Sequence, residues 1–181
     1  MSAPVVGASA QPAKAFVGLG SNLGDSILVV RAALRALGGL PDTDLLQASN
    51  LYRTPAWGVT AQPDFINAVA MIETGLSAQA LLAAMLQIER DAGRDRREDG
   101  SDRWGPRMLD LDLLLYADAV IDEPGLRVPH PHLHERAFAL LPLVEIAPDA
   151  VIPGVGPVRE ALAKMTSSDV QALTYAGPPA A

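Results

Sequence analysis

Asp110-Leu111-Asp112 is the sharpest chemical feature of the chain. On an extended strand, residues i and i+2 share a face. The two carboxylates therefore point one way, while Leu109, Leu111 and Leu113 point the other. Adjacent like charges are tolerable when a divalent cation lies between them. Magnesium suits such a pair, because it takes one or two carboxylates and completes its shell with water and substrate phosphates. Two aspartates on a surface edge strand are the plainer reading of the same three residues. Just upstream, Arg94, Arg96, Arg97, Arg103 and Arg107 supply five of the chain's 14 basic residues. Asp95, Glu98, Asp99 and Asp102 are interleaved with them, so a solvated, self-paired loop is one possibility. Phosphate binding is the other, since the guanidinium fork matches phosphate oxygens in pairs. A mobile arginine-rich loop running into an aspartate pair suits a metal–polyphosphate complex. Trp104 inside that loop either anchors it or packs against a ligand.

Three further groups are candidates for chemistry. All three histidines fall at His130, His132 and His134. No HExxH motif accompanies them, so contact between His130 and an anion is favoured over a zinc site. Gly18-Leu19-Gly20-Ser21-Asn22 follows an apolar run, but it is neither a P-loop nor a GxGxxG fingerprint. A tight structural turn is expected there. Phe65 and Asn67 share one face of a predicted strand, where an aromatic ring and an amide could hold a flat heterocycle. A core phenylalanine beside a turn-facing asparagine is the alternative.

These residues need elements to position them. Strands are predicted over 15–19, 45–53, 65–73 and 109–116, with a short one at 120–121. Helices are predicted over 26–37, capped by Asp25 or Ser26, and over 77–92, where Leu81, Leu82, Met85, Ile88 and Ala92 form an apolar stripe ended by Gly93. Residues 135–146 could hold a helix interrupted by Pro142, and 158–165 a last short one. The order β-α-β-β-α-β predicts an α+β fold with a ferredoxin-like core and C-terminal additions. Residues 1–14 are expected to be a flexible tail, 15–165 the working domain and 166–181 a second tail ending in disorder.

Composition narrows the function classes. A chain of 181 residues with 49% apolar and 19% charged residues forms about one domain with a sizeable core. Net charge is -7 and aromatics are 4%, which weighs against nucleic-acid binding. There is no cysteine, so disulfides and thiolate chemistry are excluded, and a cytoplasmic location is expected. No apolar run reaches the length of a spanning helix, so no membrane role is expected.

Six ordered blocks carry a family resemblance: GLGSNLGD at 18–25, LYRTPAWG at 51–58, QPDFINAV at 62–69, IERDAGR at 88–94, RWGPRMLDLDLLLY at 103–116 and VPHPHLHERAFALLPLVEIAP at 128–148. Together they resemble the 6-hydroxymethyl-7,8-dihydropterin pyrophosphokinases of folate biosynthesis, over about residues 15–165. The resemblance implies transfer of pyrophosphate from ATP to the pterin hydroxymethyl group, with release of AMP. It implies that Asp110 and Asp112 bind two Mg2+ ions and that Arg94 and Arg107 clamp the triphosphate. Arg96, Arg97, Trp104, Glu89, Leu113, Arg127, His130 and Arg136 fall where the family contacts ATP. Thr54, Pro55 and Trp57 would line the pterin pocket, Asn67 would hydrogen-bond the ring, and Phe65 and Phe138 would stack on its faces. A monomer acting on these two small molecules is expected. A magnesium-dependent nucleotidyltransferase is the rival enzyme reading, though that class places its aspartates soon after a Gly-Ser turn. A ferredoxin-like ligand-binding module is the non-enzyme rival.

Overall fold

The computed structural model describes residues 11–56, 61–93, 107–167 and 169–173. Among them, an antiparallel sheet carries helices on both faces. Strand β1 (Ala13–Ser21) lies in the middle, paired with β4 (Phe65–Thr74) on one side and β5 (Asp110–Tyr116) on the other. Beyond β4 come β2 (Thr43–Ala48) and β3 (Leu51–Thr54), which pair with its two halves. A short strand, Gln171–Leu173, pairs antiparallel with β3 from the stretch read as a C-terminal tail.

The single strand expected over 45–53 is therefore two. Ser49 causes the break: its hydroxyl accepts the Val69 N–H at 2.9 Å, where a backbone carbonyl would otherwise sit. Both carboxylate oxygens of Glu145 then accept the Asn50 N–H, at 3.1 and 3.2 Å. A side chain that competes for ladder groups ends regular pairing.

Helix α1 (Ser26–Gly38) starts where the Asp25 carboxylate accepts the Leu28 N–H at 3.2 Å. Helix α2 (Ala78–Asp91) starts the same way, with Ser77 accepting from Ala80. Such caps satisfy N–H groups that the helix itself cannot. Both helices press apolar stripes onto one sheet face. Val30, Ala33, Leu37, Leu81, Met85 and Ile88 meet Ala15, Val17, Leu19, Ile72, Leu111 and Leu113 there.

Among the described residues, helices cover the other face at one end only. Helix α3 (Ala137–Ile146) is apolar nearly all round, as a helix buried between layers must be. It runs straight through Pro142 rather than breaking there. With α4 (Val158–Ala163) it packs Leu140, Leu143, Ile146, Val158 and Ala161 against Phe16, Val69, Leu114 and Leu115. Burying each large side chain contributes about 1.5–3 kcal/mol before entropy is counted. A small hairpin, 151–157, completes this end, while another, 121–128, packs Leu126 and Val128 into the core on the α1 and α2 side. No described helix is long and apolar enough to cross a membrane.

Candidate active site

Beyond α3 no described helix covers this sheet face, and the predicted residues collect on it. Gly18 and Gly20 are not a turn: both lie within β1, which runs on to Ser21. Register pairs Gly20 with Asn67 and Asp110, and Gly18 with Val69 and Asp112. Two glycines in the central strand thus form a floor without side chains, with amide and aromatic groups on one flank and the carboxylates on the other. A methyl group at Gly20 would stand 3.0 Å from Asn67 Oδ1, and one at Gly18 would touch Leu114 at 3.5 Å.

On the β4 flank, Asn67 is buried and donates through Nδ2 to Thr54 Oγ1 at 2.8 Å. That bond fixes the amide plane and leaves Oδ1 over the floor. Phe65 pairs in register with Thr54 and stands beside Asn67 at the end of the strand. Pro55 follows Thr54 and is exposed.

On the β5 flank, Asp110 and Asp112 do share a face, with Leu111 and Leu113 buried behind them. Arg107 NH1 donates to Asp110 Oδ2 at 2.7 Å. His130 Nε2 lies 3.8 Å from Asp112 Oδ1, and Arg136 NH1 lies 4.0 Å from Asp112 Oδ2. Burial, helped by the charge of Asp110, pushes the Asp112 carboxyl up to about 7. Burial and the Arg136 charge hold His130 down at about 4, so its ring is neutral near pH 7. His130 Nδ1 accepts the His132 N–H at 3.2 Å, which leaves the ring proton on Nε2, facing Asp112. His130 itself is fixed by its backbone N–H, which donates to Leu114 O at 3.0 Å. Arg136 also lies against the Phe138 ring, 5.7 Å from its centroid.

Other expected site residues sit differently. Glu89 is 1% exposed, and its Oε1 accepts the Leu111 N–H at 2.8 Å. It braces β5 from α2 at the peptide between the two aspartates. The Leu113 side chain is in the core between sheet and helices, so only its backbone is left for a ligand. Arg127 pairs with Asp122 at 3.3 Å across its own hairpin, both largely exposed. His132 and His134 both pair with Glu135, away from the aspartates. Trp57, Arg94, Arg96, Arg97 and Trp104 lie outside the described residues.

The donor set suits a hard dication bound together with phosphate. Two crowded carboxylates supply oxygen, and burial with the neighbouring Asp110 charge raises the pKa of Asp112, a strain that a cation between them would relieve. No group of three or more metal-ligating side chains occurs among the described residues. Magnesium commonly binds through one or two carboxylates plus substrate oxygens, so the set fits.

Sequence reasoning missed Asn22. It reads as part of a Gly-Ser-Asn turn, yet it is 2% exposed and its backbone N–H, Nδ2 and Oδ1 are all bonded. Only the pairing of a small amide with a strand end hinted at it.

Residues 16–148 match the family model described as 7,8-dihydro-6-hydroxymethylpterin-pyrophosphokinase. The chain is 44% identical over 158 residues to the 2-amino-4-hydroxy-6-hydroxymethyldihydropteridine pyrophosphokinase of Methylorubrum extorquens, covering 87% of this chain and 97% of that one. It is 44% identical over 146 residues to the enzyme of that name from Haemophilus influenzae, covering 81% and 89%. Among solved structures, Plasmodium falciparum HPPK-DHPS, wild type with pteroate, superposes with a TM-score of 0.66 at 12% identity, covering 85% of this chain. This chain spans 44% of that longer protein, and the likeness is one of fold. The family match over most of the chain and two relatives nearly equal to it in length lead to one conclusion: the chain belongs to the 7,8-dihydro-6-hydroxymethylpterin-pyrophosphokinase family.

Proposed function

We infer that this chain transfers pyrophosphate from ATP to the hydroxymethyl group of 6-hydroxymethyl-7,8-dihydropterin, releasing AMP, as a step of folate biosynthesis. The observation that carries this reading is the glycine floor between two unlike flanks. Asn67 and Phe65 stand on one side, Asp110 and Asp112 on the other. A flat ring and a polyphosphate can lie side by side over Gly18 and Gly20.

Each flank has a task in this reading. Asn67 Oδ1 accepts from the pterin edge, Phe65 and Phe138 stack on its faces, and the segment of Thr54, Pro55 and Trp57 closes the pocket. Asp110 and Asp112 hold two Mg2+ ions, which neutralise phosphate charge when bound. Arg107 moves from Asp110 to the triphosphate, an exchange of one anion for another. His130 presents a neutral N–H, and Arg136 a cation, to the phosphates beside Asp112. Leu113 offers its backbone to the nucleotide. Arg94, Arg96, Arg97, Trp104 and Arg127 complete the ATP side by family resemblance. The pterin hydroxyl oxygen attacks the β-phosphorus in line, the bond from that phosphorus to the α,β-bridging oxygen breaks, and the hydroxyl proton goes to water. Positioning and charge neutralisation carry most of such a transfer.

The strand order β3/β2–β4–β1–β5, antiparallel throughout, supports a ferredoxin-like β-α-β-β-α-β core in which β2 and β3 count as one broken strand. We place the working domain over 15–165, extended by Gln171–Leu173. A monomeric working unit belongs to the same reading, by family resemblance. Net charge of -7 supports small-molecule partners over nucleic acid, and the lack of cysteine supports a cytoplasmic setting.

The test is a product assay with magnesium, ATP and 6-hydroxymethyl-7,8-dihydropterin. One AMP per pterin diphosphate is expected. ADP would make the chain an ordinary kinase. Binding of ATP with no nucleotide product would favour a ligand-binding module.

A further inference from the structure

We propose that Asn22 is a positioning residue that holds the two flanks of the site in one frame. Its backbone N–H donates to Arg107 O at 3.0 Å, and its Oδ1 accepts the Arg107 N–H at 2.8 Å. The side-chain amide thus completes a pairing that the β1–β5 ladder would otherwise end one step earlier. Arg107 is the arginine whose guanidinium reaches Asp110. On the opposite side, Asn22 Nδ2 donates to Gln62 Oε1 and to Pro63 O, both at 3.1 Å. That segment leads directly into Phe65 and Asn67. One buried amide therefore ties the backbone under the phosphate clamp to the chain that enters the pterin flank.

The chemistry of the amide explains the residue type. Asparagine offers one acceptor and two donors within a single rigid plane. Arg107 N–H needs the acceptor, and Gln62 and Pro63 need the donors. Alanine satisfies neither side, and aspartate satisfies only the first. At 2% exposure, water does not replace what is lost. The two anchored segments lie 40 and 85 residues away in sequence, so the tie is a long-range one. A shift of about 1 Å between reacting groups costs about 100-fold in rate. The β1 ladders fix the flanks as strands, and Asn22 holds the segments at their ends, without touching either substrate.

The proposal rests on assigning the flanks to ATP and pterin. Its test compares wild type, Asn22→Ala and Asn22→Asp at pH 8. Single-turnover transfer rate, KM for each substrate and thermal midpoint are read for each protein. For Asn22→Ala, the transfer rate falls about 30- to 100-fold, with each KM within about threefold of wild type. Its midpoint falls by about 2–8 °C, as the loss of buried hydrogen bonds demands. Asn22→Asp keeps the Arg107 tie but sets a carboxylate against Pro63 O. Its rate falls only about three- to tenfold, and its pterin KM rises while its ATP KM does not. A wild-type transfer rate in Asn22→Ala, with only the midpoint lowered, would overturn the proposal and leave Asn22 a structural residue. Equal rates in the two variants would overturn it too, since the Arg107 tie would then do nothing. If Asn22→Ala does not fold, Asn22→Asp decides: an unchanged rate and pterin KM overturn the proposal. Failure of wild type to make AMP would overturn the assignment of the flanks instead.

Discussion

The two ends of one sheet face are built from the same three strands and could hardly differ more. At the covered end, β1, β4 and β5 present Phe16, Met71, Leu114 and Leu115 to α3 and α4. At the other end, a few residues along the same strands, Gly18, Gly20, Asn67, Asp110 and Asp112 share that face with no described helix over them. The switch occurs near a bulge: Leu114 has no partner on β1, and it and Leu115 both join the α3 cluster. A bulge puts consecutive side chains on one face and bends the strand. The covered end supplies burial and asks nothing of chemistry. The other end gathers partly buried carboxylates, a neutral histidine and a floor of glycines, each of which costs stability. The sheet separates the two demands by position along its strands rather than by domain.

That contrast can be broken by substitution, and the largest effect should come from the carboxylates. Asp110→Ala is expected to lower turnover by about 100- to 1,000-fold while the ligand-free protein melts no earlier than wild type. Product formation and thermal melts on one preparation check this. An early melt would mean that this end also carries the fold.

Leu140→Ala at the covered end should behave in the opposite way. A buried leucine cut to alanine costs about 2–5 kcal/mol, or about 5–15 °C in a domain of this size. KM and kcat per folded molecule should stay at wild-type values. A changed KM for either substrate would show that the covered end shapes the site.

The floor itself is sharpened by Gly20→Ala. The added methyl reaches Asn67 Oδ1 and must displace an amide already fixed by Thr54. The KM for pterin is expected to rise about tenfold, a loss of about 1.4 kcal/mol, with the KM for ATP unchanged. Equal increases in both would dissolve the division into flanks.

Some of this was legible in the sequence. The i, i+2 rule placed Asp110 with Asp112 and Phe65 with Asn67, because strand periodicity is local. The stripe of α2 was equally plain. What escaped depends on partners far along the chain. Gly18 and Gly20 read as a turn because glycine is poor in strand interiors, and only pairing with both β4 and β5 shows why they are strand. Ser49 reads as one more strand residue until Val69 and Glu145 meet it. Glu89 reads as a nucleotide contact by family resemblance, and nothing local reveals the Leu111 amide it accepts. Asn22 joins three segments that no window of sequence contains.

The same contrast sets a pH dependence, in which two opposing slopes largely cancel in wild type. Asp112 is raised from 3.8 to about 7, so its contribution to stability is full below 3.8 and is lost as pH rises through about 7. His130 is lowered from 6.5 to about 4, so its contribution is full above 6.5 and is lost as pH falls through about 4. Between those limits the two slopes oppose each other. In the ligand-free protein, Asp112→Asn should leave a melting midpoint that rises with pH from about 4 to 6.5, and His130→Gln one that falls over the same range. Parallel profiles in wild type and both variants would contradict the burial asymmetry of the site.

The most direct measurement is a crystal structure with magnesium, a non-hydrolysable ATP analogue and 6-hydroxymethyl-7,8-dihydropterin bound together. The account predicts the pterin over Gly20 beside Asn67, and the triphosphate over Gly18 beside Asp110 and Asp112. An open cleft of about 430 Å³, lined by Lys14, Phe16, Met71, Leu115, Ile146 and Asp149, lies at the covered end. Either substrate seated in that cleft, with the glycine floor bare, would contradict it.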